Sequence, residues 1–226
     1  MLKIMKELTN VRKPITYTLA IAGVMSALTI LLSLIPLIGY IRITPFVSFT
    51  TLHIPVILAG IFGGPIAGMI VGCVFGINSL INAATTSAPT WLTPFLIDPR
   101  CSVLPRILIG LVAGLIYKGM GKIKFLPKTV NAACSGLFGT FTNTAGLFTA
   151  LYIFKGKQIV DVLVSKVGES ANGKSYVGII AALLGFGPLV EAIGAAVICV
   201  IIVGTVGIGS YAKKHNSKLS RNTEGE

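Results

Sequence analysis

The sequence predicts an all-α membrane protein, a six-transmembrane-helix bundle with both termini cytoplasmic. Three observations predict it. Of the 226 residues, 54% are hydrophobic and 12% charged, about half the charged share of a soluble domain, and mean hydropathy is +0.87. The apolar residues gather into runs of roughly 20, the length a helix needs to cross a bilayer. The basic residues stand beside those runs rather than within them, as membrane topology requires.

Each element follows in order. The first span covers about Ile15 to Pro36. It follows Lys3, Lys6, Arg12 and Lys13, but it is too long for a cleaved signal peptide and has no clear small-residue cleavage site, so it reads as a retained span. The second, about Leu52 to Phe62, is short and ends at the helix-breaking Gly63-Gly64-Pro65 turn. The third covers about Ile66 to Asn82, followed by a polar, Pro-rich loop from Ala83 to Arg100. The fourth runs from about Ser102 to Tyr117, before a basic loop at Lys118 to Lys128. The fifth covers about Thr129 to Phe154, before a polar loop at Lys155 to Ser175. The sixth, about Tyr176 to Gly209, is long enough to be tilted or split. Residues 213–226 form a polar, basic, flexible tail, and residues 1–226 make one integral-membrane domain. Backbone groups in hydrocarbon need internal partners, so the spans are helices. Membrane strands would alternate polar and apolar residues, which these runs do not.

Twelve of the 19 basic residues fall on the side that holds both termini, so that side is cytoplasmic by the positive-inside rule. The net charge of +12 therefore has a topological origin. It does not point to nucleic acid, for which basic residues would interleave with stacking aromatics. Cys73, Cys101, Cys134 and Cys199 form no CxxC pair and read as small buried hydrophobes.

Polar groups in the spans carry the functional signal, because an ionisable side chain in hydrocarbon is expensive unless it is paired or faces a wet cavity. In the predicted topology His53, Asn78, Arg106, Asn143 and Glu191 fall in the outer half of five helices. The outward loops add Tyr40, Arg42, Phe46, Trp91 and Arg100. Together they describe a cup with apolar walls and a few fixed polar groups, the form of a small-molecule site. Structural alternatives stand beside each: headgroup snorkelling for Arg106, interfacial hydrogen bonding for His53, interhelical bonds for Asn78 and Asn143, a Glu191–Arg106 ion pair, and interface anchoring for Trp91. No HExxH, GxSxG or GxxxxGK[ST] motif occurs, so the chain is not read as an enzyme and any ATPase belongs to another subunit.

Small residues mark helix contacts. Ala22/Ser26 and Gly23/Ala27 repeat at four-residue spacing in the first span, and Gly64, Gly68, Gly72 and Gly76 do so around the third. Internal packing is the favoured reading for the third span. For the first, internal packing and contact with a partner are both open.

The run TTLHIPVILAGIFGGPIAGMIVGCVFGINSLINA (Thr50 to Ala83), followed by IDPRCSVLPRILIGLVAGLIY (Ile97 to Tyr117), resembles the substrate-binding S components of energy-coupling factor (ECF) vitamin transporters. The His-Ile-Pro-Val opening, the Gly-Gly-Pro turn and the Pro-Arg-Ile-Leu-Ile-Gly stretch are its most specific parts and are most like the pantothenate branch. The resemblance implies a multi-pass subunit of a prokaryotic plasma membrane. It would capture a vitamin at the outer face and dock on a transmembrane coupling subunit driven by two ATPase subunits. It would bind no cofactor of its own, the ATP being hydrolysed by the partners. The family's alanine-rich docking motif falls here on Ala22, Gly23, Ser26 and Ala27, with glycine in place of a strict alanine. Outer arginines suit a carboxylate, and Asn78, Asn143 and His53 suit the hydroxyls and amide of pantothenate. Alternatives are another vitamin or precursor (pyridoxine, folate, queuosine), or a stand-alone secondary transporter or channel with Glu191 as proton relay.

Overall fold

In a computed structural model of the chain, residues 15–35, 39–42, 48–86, 92–123, 125–167 and 186–223 are described. Among them the elements are helix α1 (Ile15–Leu34), strands β1 (Tyr40–Arg42) and β2 (Ser48–Thr50), and helices α2 (His53–Gly63), α3 (Pro65–Thr85), α4 (Thr93–Leu96), α5 (Pro99–Met120), α6 (Lys128–Val167) and α7 (Gly187–Thr223). The two strands pair antiparallel, Tyr40 opposite Thr50 and Arg42 opposite Ser48. Apart from this small ribbon the described residues are helical, as the composition predicts.

Among the described residues, five helices are long and apolar enough to cross a membrane: α1, α3, α5, the Lys128–Gly156 part of α6 and the Gly187–Val206 part of α7. The second predicted span is different. Helix α2 has 11 residues, which at 1.5 Å per residue is about 16 Å, half the hydrocarbon thickness. The chain reverses at Gly64, whose φ of 89° lies in the left-handed region that favours glycine, and Pro65 then starts α3 with its ring at the first helical turn. Nine of the 11 residues of α2 are buried, so this short helix is the bundle's centre. The β1–β2 ribbon stands immediately before its first turn. The predicted boundaries of the last two spans also move. Helical backbone extends past the expected loop start to Val167, with a kink of non-helical backbone at Gly156 that divides α6 into two stretches. Helix α7 runs on through Thr223, past Lys213 where the sequence predicts a flexible tail. The predicted start of the sixth span, residues 176–185, lies outside the described residues.

Glycines set how closely the helices meet. A Cβ added at Gly68 would lie 2.5 Å from the Gly110 carbonyl oxygen, one at Gly76 would lie 2.6 Å from Val103 Cα, and one at Gly72 would meet the Arg106 carbonyl. Helices α3 and α5 therefore run backbone against backbone, in antiparallel register. Gly60 of α2 enters the same seam, where a Cβ would lie 2.8 Å from the Gly110 carbonyl oxygen. Internal packing is thus the role of the α3 stripe, with Gly64 serving the turn instead. On the other side of α2, added Cβ atoms at Gly139 and Gly136 of α6 would lie 2.7 Å from Ile57 Cγ1 and 2.8 Å from Ala196 Cα of α7.

These contacts also fix which ends lie together. Thr18 near the start of α1 donates to the Gly63 carbonyl, Gly114 of α5 faces Pro65, Gly121 faces Asn131, and Gly204 of α7 faces Thr129. The beginning of α1 and the later turns of α7 share this end. The ribbon and the start of α2 lie toward the other.

Candidate functional site

The buried polar residues form two groups. The first joins α2, β2 and α7. His53 opens α2 and is 1% exposed. Its Nδ1 lies 3.5 Å from Glu191 Oε1 of α7. The same oxygen accepts a hydrogen bond from the Thr50 backbone N–H at 3.0 Å. Thr50 ends β2, so one carboxylate holds both the ribbon's backbone and the first residue of the central helix.

The second group is built on α5, and its logic begins at Pro105. Proline carries no N–H, so inside a helix it leaves the carbonyl four residues earlier without its usual donor. That carbonyl is Cys101, and the next residue supplies the replacement: Arg106 Nη1 donates to the Cys101 oxygen at 2.9 Å. The guanidinium also lies 5.7 Å from the Phe75 ring centroid of α3, within cation–π range. Arg106 is 6% exposed, so it does not snorkel to the headgroups, and the predicted Glu191–Arg106 pair is replaced by Glu191–His53. Ser102, also on α5, donates to the Gly76 carbonyl at 3.1 Å.

Asn78 follows Phe75 by one turn on α3. Asn143 of α6 is 7% exposed and lies one turn from Gly146, where an added Cβ would sit 3.3 Å from Pro105 Cβ. It also lies one turn from Gly139, which packs on Ile57, itself one turn from His53. By these contacts His53, Asn78, Arg106 and Asn143 lie within roughly two helical turns of a common depth, at the ribbon end of the bundle. Among the described residues, His53 Nδ1 and Nε2, Asn78 Nδ2 and Asn143 Oδ1 are buried without a hydrogen-bond partner, as is Asn131 Oδ1 near the start of α6, at the opposite end. Such atoms are costly in an apolar interior unless a polar partner meets them. By contrast, the buried hydroxyls of Thr29, Ser135 and Thr140 are satisfied by carbonyls four residues back on their own helices.

The remaining predicted residues fall elsewhere. Arg100 is exposed, stacks 5.6 Å from the Phe154 centroid, and lines an open cleft of about 690 Å³ with Pro94, Asp98 and Lys155. Asp98 caps α5 by accepting from the Arg100 N–H and pairs with Lys155 at 3.0 Å. The Lys155 hydrogen bond holds its carboxyl below the usual aspartate range, helped by the Arg100 N–H. This cleft is a surface corner, separate from the buried groups. Tyr40 and Arg42 belong to β1 by backbone, and their side chains lie outside the described residues, as do Phe46 and Trp91 entirely. Thr50, Phe75 and Pro105 are site residues the sequence reading did not single out. The Pro-Arg step within an apolar run was the available signal for the last.

On α1 the small residues divide. Ala22 is buried and Ser26 half-buried, whereas Gly23 and Ala27 are exposed. Nothing lies within 4 Å of a Cβ added at Gly23.

A search of curated proteins finds no match. The family model for the ECF transporter, substrate-specific component, matches residues 17–203, a stretch that contains every residue of the two polar groups. The chain therefore belongs to the ECF transporter substrate-specific component family, the substrate-binding membrane subunits of these transporters, which work with partner subunits of the ECF module.

Proposed function

We propose that the chain captures a small anionic vitamin, pantothenate first, at the outer face of a prokaryotic plasma membrane and delivers it through an ATP-driven coupling module. One observation carries this reading: four helices bring His53, Asn78, Arg106 and Asn143 to within roughly two turns of a common depth, and His53, Asn78 and Asn143 bury polar atoms without a hydrogen-bond partner among the described residues. A ligand bearing a carboxylate, hydroxyls and an amide supplies partners for all of them. Arg106, already fixed by Cys101 and Phe75, offers a preorganised guanidinium to the carboxylate. Tyr40, Arg42, Phe46 and Trp91 belong to the segments around the ribbon in this reading, and Arg100 to the rim. The ribbon end faces outward, since Lys118, Lys122 and Lys128 mark the opposite end as cytoplasmic. The exposed Gly23/Ala27 face of α1, backed by Ala22 and Ser26, is the surface proposed to dock on the coupling subunit.

Thermal-shift titration of the purified chain across vitamins tests the ligand. Pantothenate at 100 Kd should add about 2.7 kcal/mol to stability, and a matching shift from pyridoxine, folate or queuosine instead would reassign it. Arg106→Ala should weaken pantothenate by about 1.5–3 kcal/mol, read by calorimetric titration of protein that still melts cooperatively. Unchanged affinity would confine Arg106 to repairing the Pro105 gap in α5. Solute movement down an ion gradient by the reconstituted chain alone would favour the stand-alone transporter.

A further inference from the structure

Glu191 occupies a place that gives it a task other than gripping cargo. Its Oε1 faces two groups of the protein at once, the Thr50 N–H at 3.0 Å and His53 Nδ1 at 3.5 Å. Its side chain is 12% exposed, and both of these contacts fall on the same carboxylate oxygen. An anionic oxygen beside Nδ1 favours the neutral imidazole tautomer that carries its proton there, and the other ring nitrogen is then a lone-pair acceptor. That nitrogen, Nε2, is buried without a hydrogen-bond partner among the described residues; Nδ1 makes no hydrogen bond among them either, and the Glu191 oxygen 3.5 Å away is the acceptor it faces.

We infer that Glu191 is a positioning residue that fixes the tautomer of His53, so that Nε2 accepts a hydrogen bond from a hydroxyl or amide N–H of the captured molecule. The inference rests on the capture-site reading above and deepens it. It gives the site a polarity. The guanidinium of Arg106 on α5 is donor-only and calls for a carboxylate or other acceptor. The imidazole on α2 is acceptor-only and calls for a donor. The cargo is thus a molecule with an anionic end and a hydroxyl or amide donor elsewhere along its length.

The chain has two histidines, His53 and His215, so a full-length H215Q protein labelled with 15N-histidine and held in lipid nanodiscs shows one imidazole. The ligand-free spectrum should show Nδ1 protonated and Nε2 bare. Excess pantothenate, used as the probe, should shift the Nε2 resonance in the direction of an accepted hydrogen bond without moving the proton. In E191Q, whose amide oxygen can still accept from Thr50 but carries no charge, the Nε2–H form should gain a clear share. A proton on Nε2, or on both nitrogens, in the ligand-free parent would overturn the inference, and that spectrum decides it even where E191Q fails to fold. A folded E191Q with the parent's tautomer would also overturn it, as would pantothenate binding that leaves Nε2 unmoved. Failure of pantothenate to bind at all would instead remove the ligand assigned in the preceding section, with the tautomer still decided by the ligand-free spectrum.

Discussion

Gly110→Val should yield no folded protein. A Cβ at this position meets the Gly68 carbonyl of α3, and the reverse substitution meets the Gly110 carbonyl at 2.5 Å. Overpacking usually costs about 1–3 kcal/mol, because side chains give way. Here the neighbours are backbone atoms on two helices, since Gly60 of α2 presses on the same carbonyl. Helix α5 cannot retreat from α3 without losing Gly72 and Gly76, and with them the platform that holds Arg106 over Phe75. Size-exclusion profiles in detergent and thermal melts check this, with Gly119→Val as the control, because nothing lies within 4 Å of a Cβ at Gly119. A Gly110→Val protein that melts with the parent would show that the seam does not need bare backbone.

Gly23→Leu should abolish uptake while sparing binding. No atom of the described residues lies within 4 Å of a Cβ at Gly23, so the leucine has room, and glycine itself is a poor helix residue by about 1 kcal/mol relative to alanine. The isolated subunit should therefore be as stable as before and bind its vitamin equally well. What changes is the outer surface of α1, where a small residue lets a second helix approach closely and leucine does not. Uptake into proteoliposomes carrying the coupling subunit and both ATPases should fall to background. Equal loss of binding and uptake would place Gly23 in the subunit's own packing.

Much of this was readable from residues. Hydropathy located α1, α3 and α5 to within a few positions, because runs of apolar residues of membrane length have few other uses. Gly63-Gly64-Pro65 announced the reversal that makes α2 short. The glycine spacing of α3 announced a close contact, but not its partner, since a small-residue face is equally compatible with any neighbour. The β1–β2 ribbon went unread. Its strands are three residues each, too short for alternation to stand out beside long apolar spans. The polar residues were legible as a set, because each is anomalous in hydrocarbon. Their pairing was not: Glu191 meets His53 and Thr50 rather than Arg106, and Arg106 answers a carbonyl freed by Pro105. Pairing depends on helix rotation, which a single chain's periodicity leaves open when apolar residues surround the helix.

The contact of α2, α3 and α5 along bare backbone has a mechanical consequence. Three helices joined at this distance have no layer of side chains through which to slide or turn, so they behave as one stiff slab. A passage for cargo cannot be opened by shearing that slab. It has to come from parting along α6 and α7, from lifting the ribbon, or from tilting the whole subunit as a rigid body.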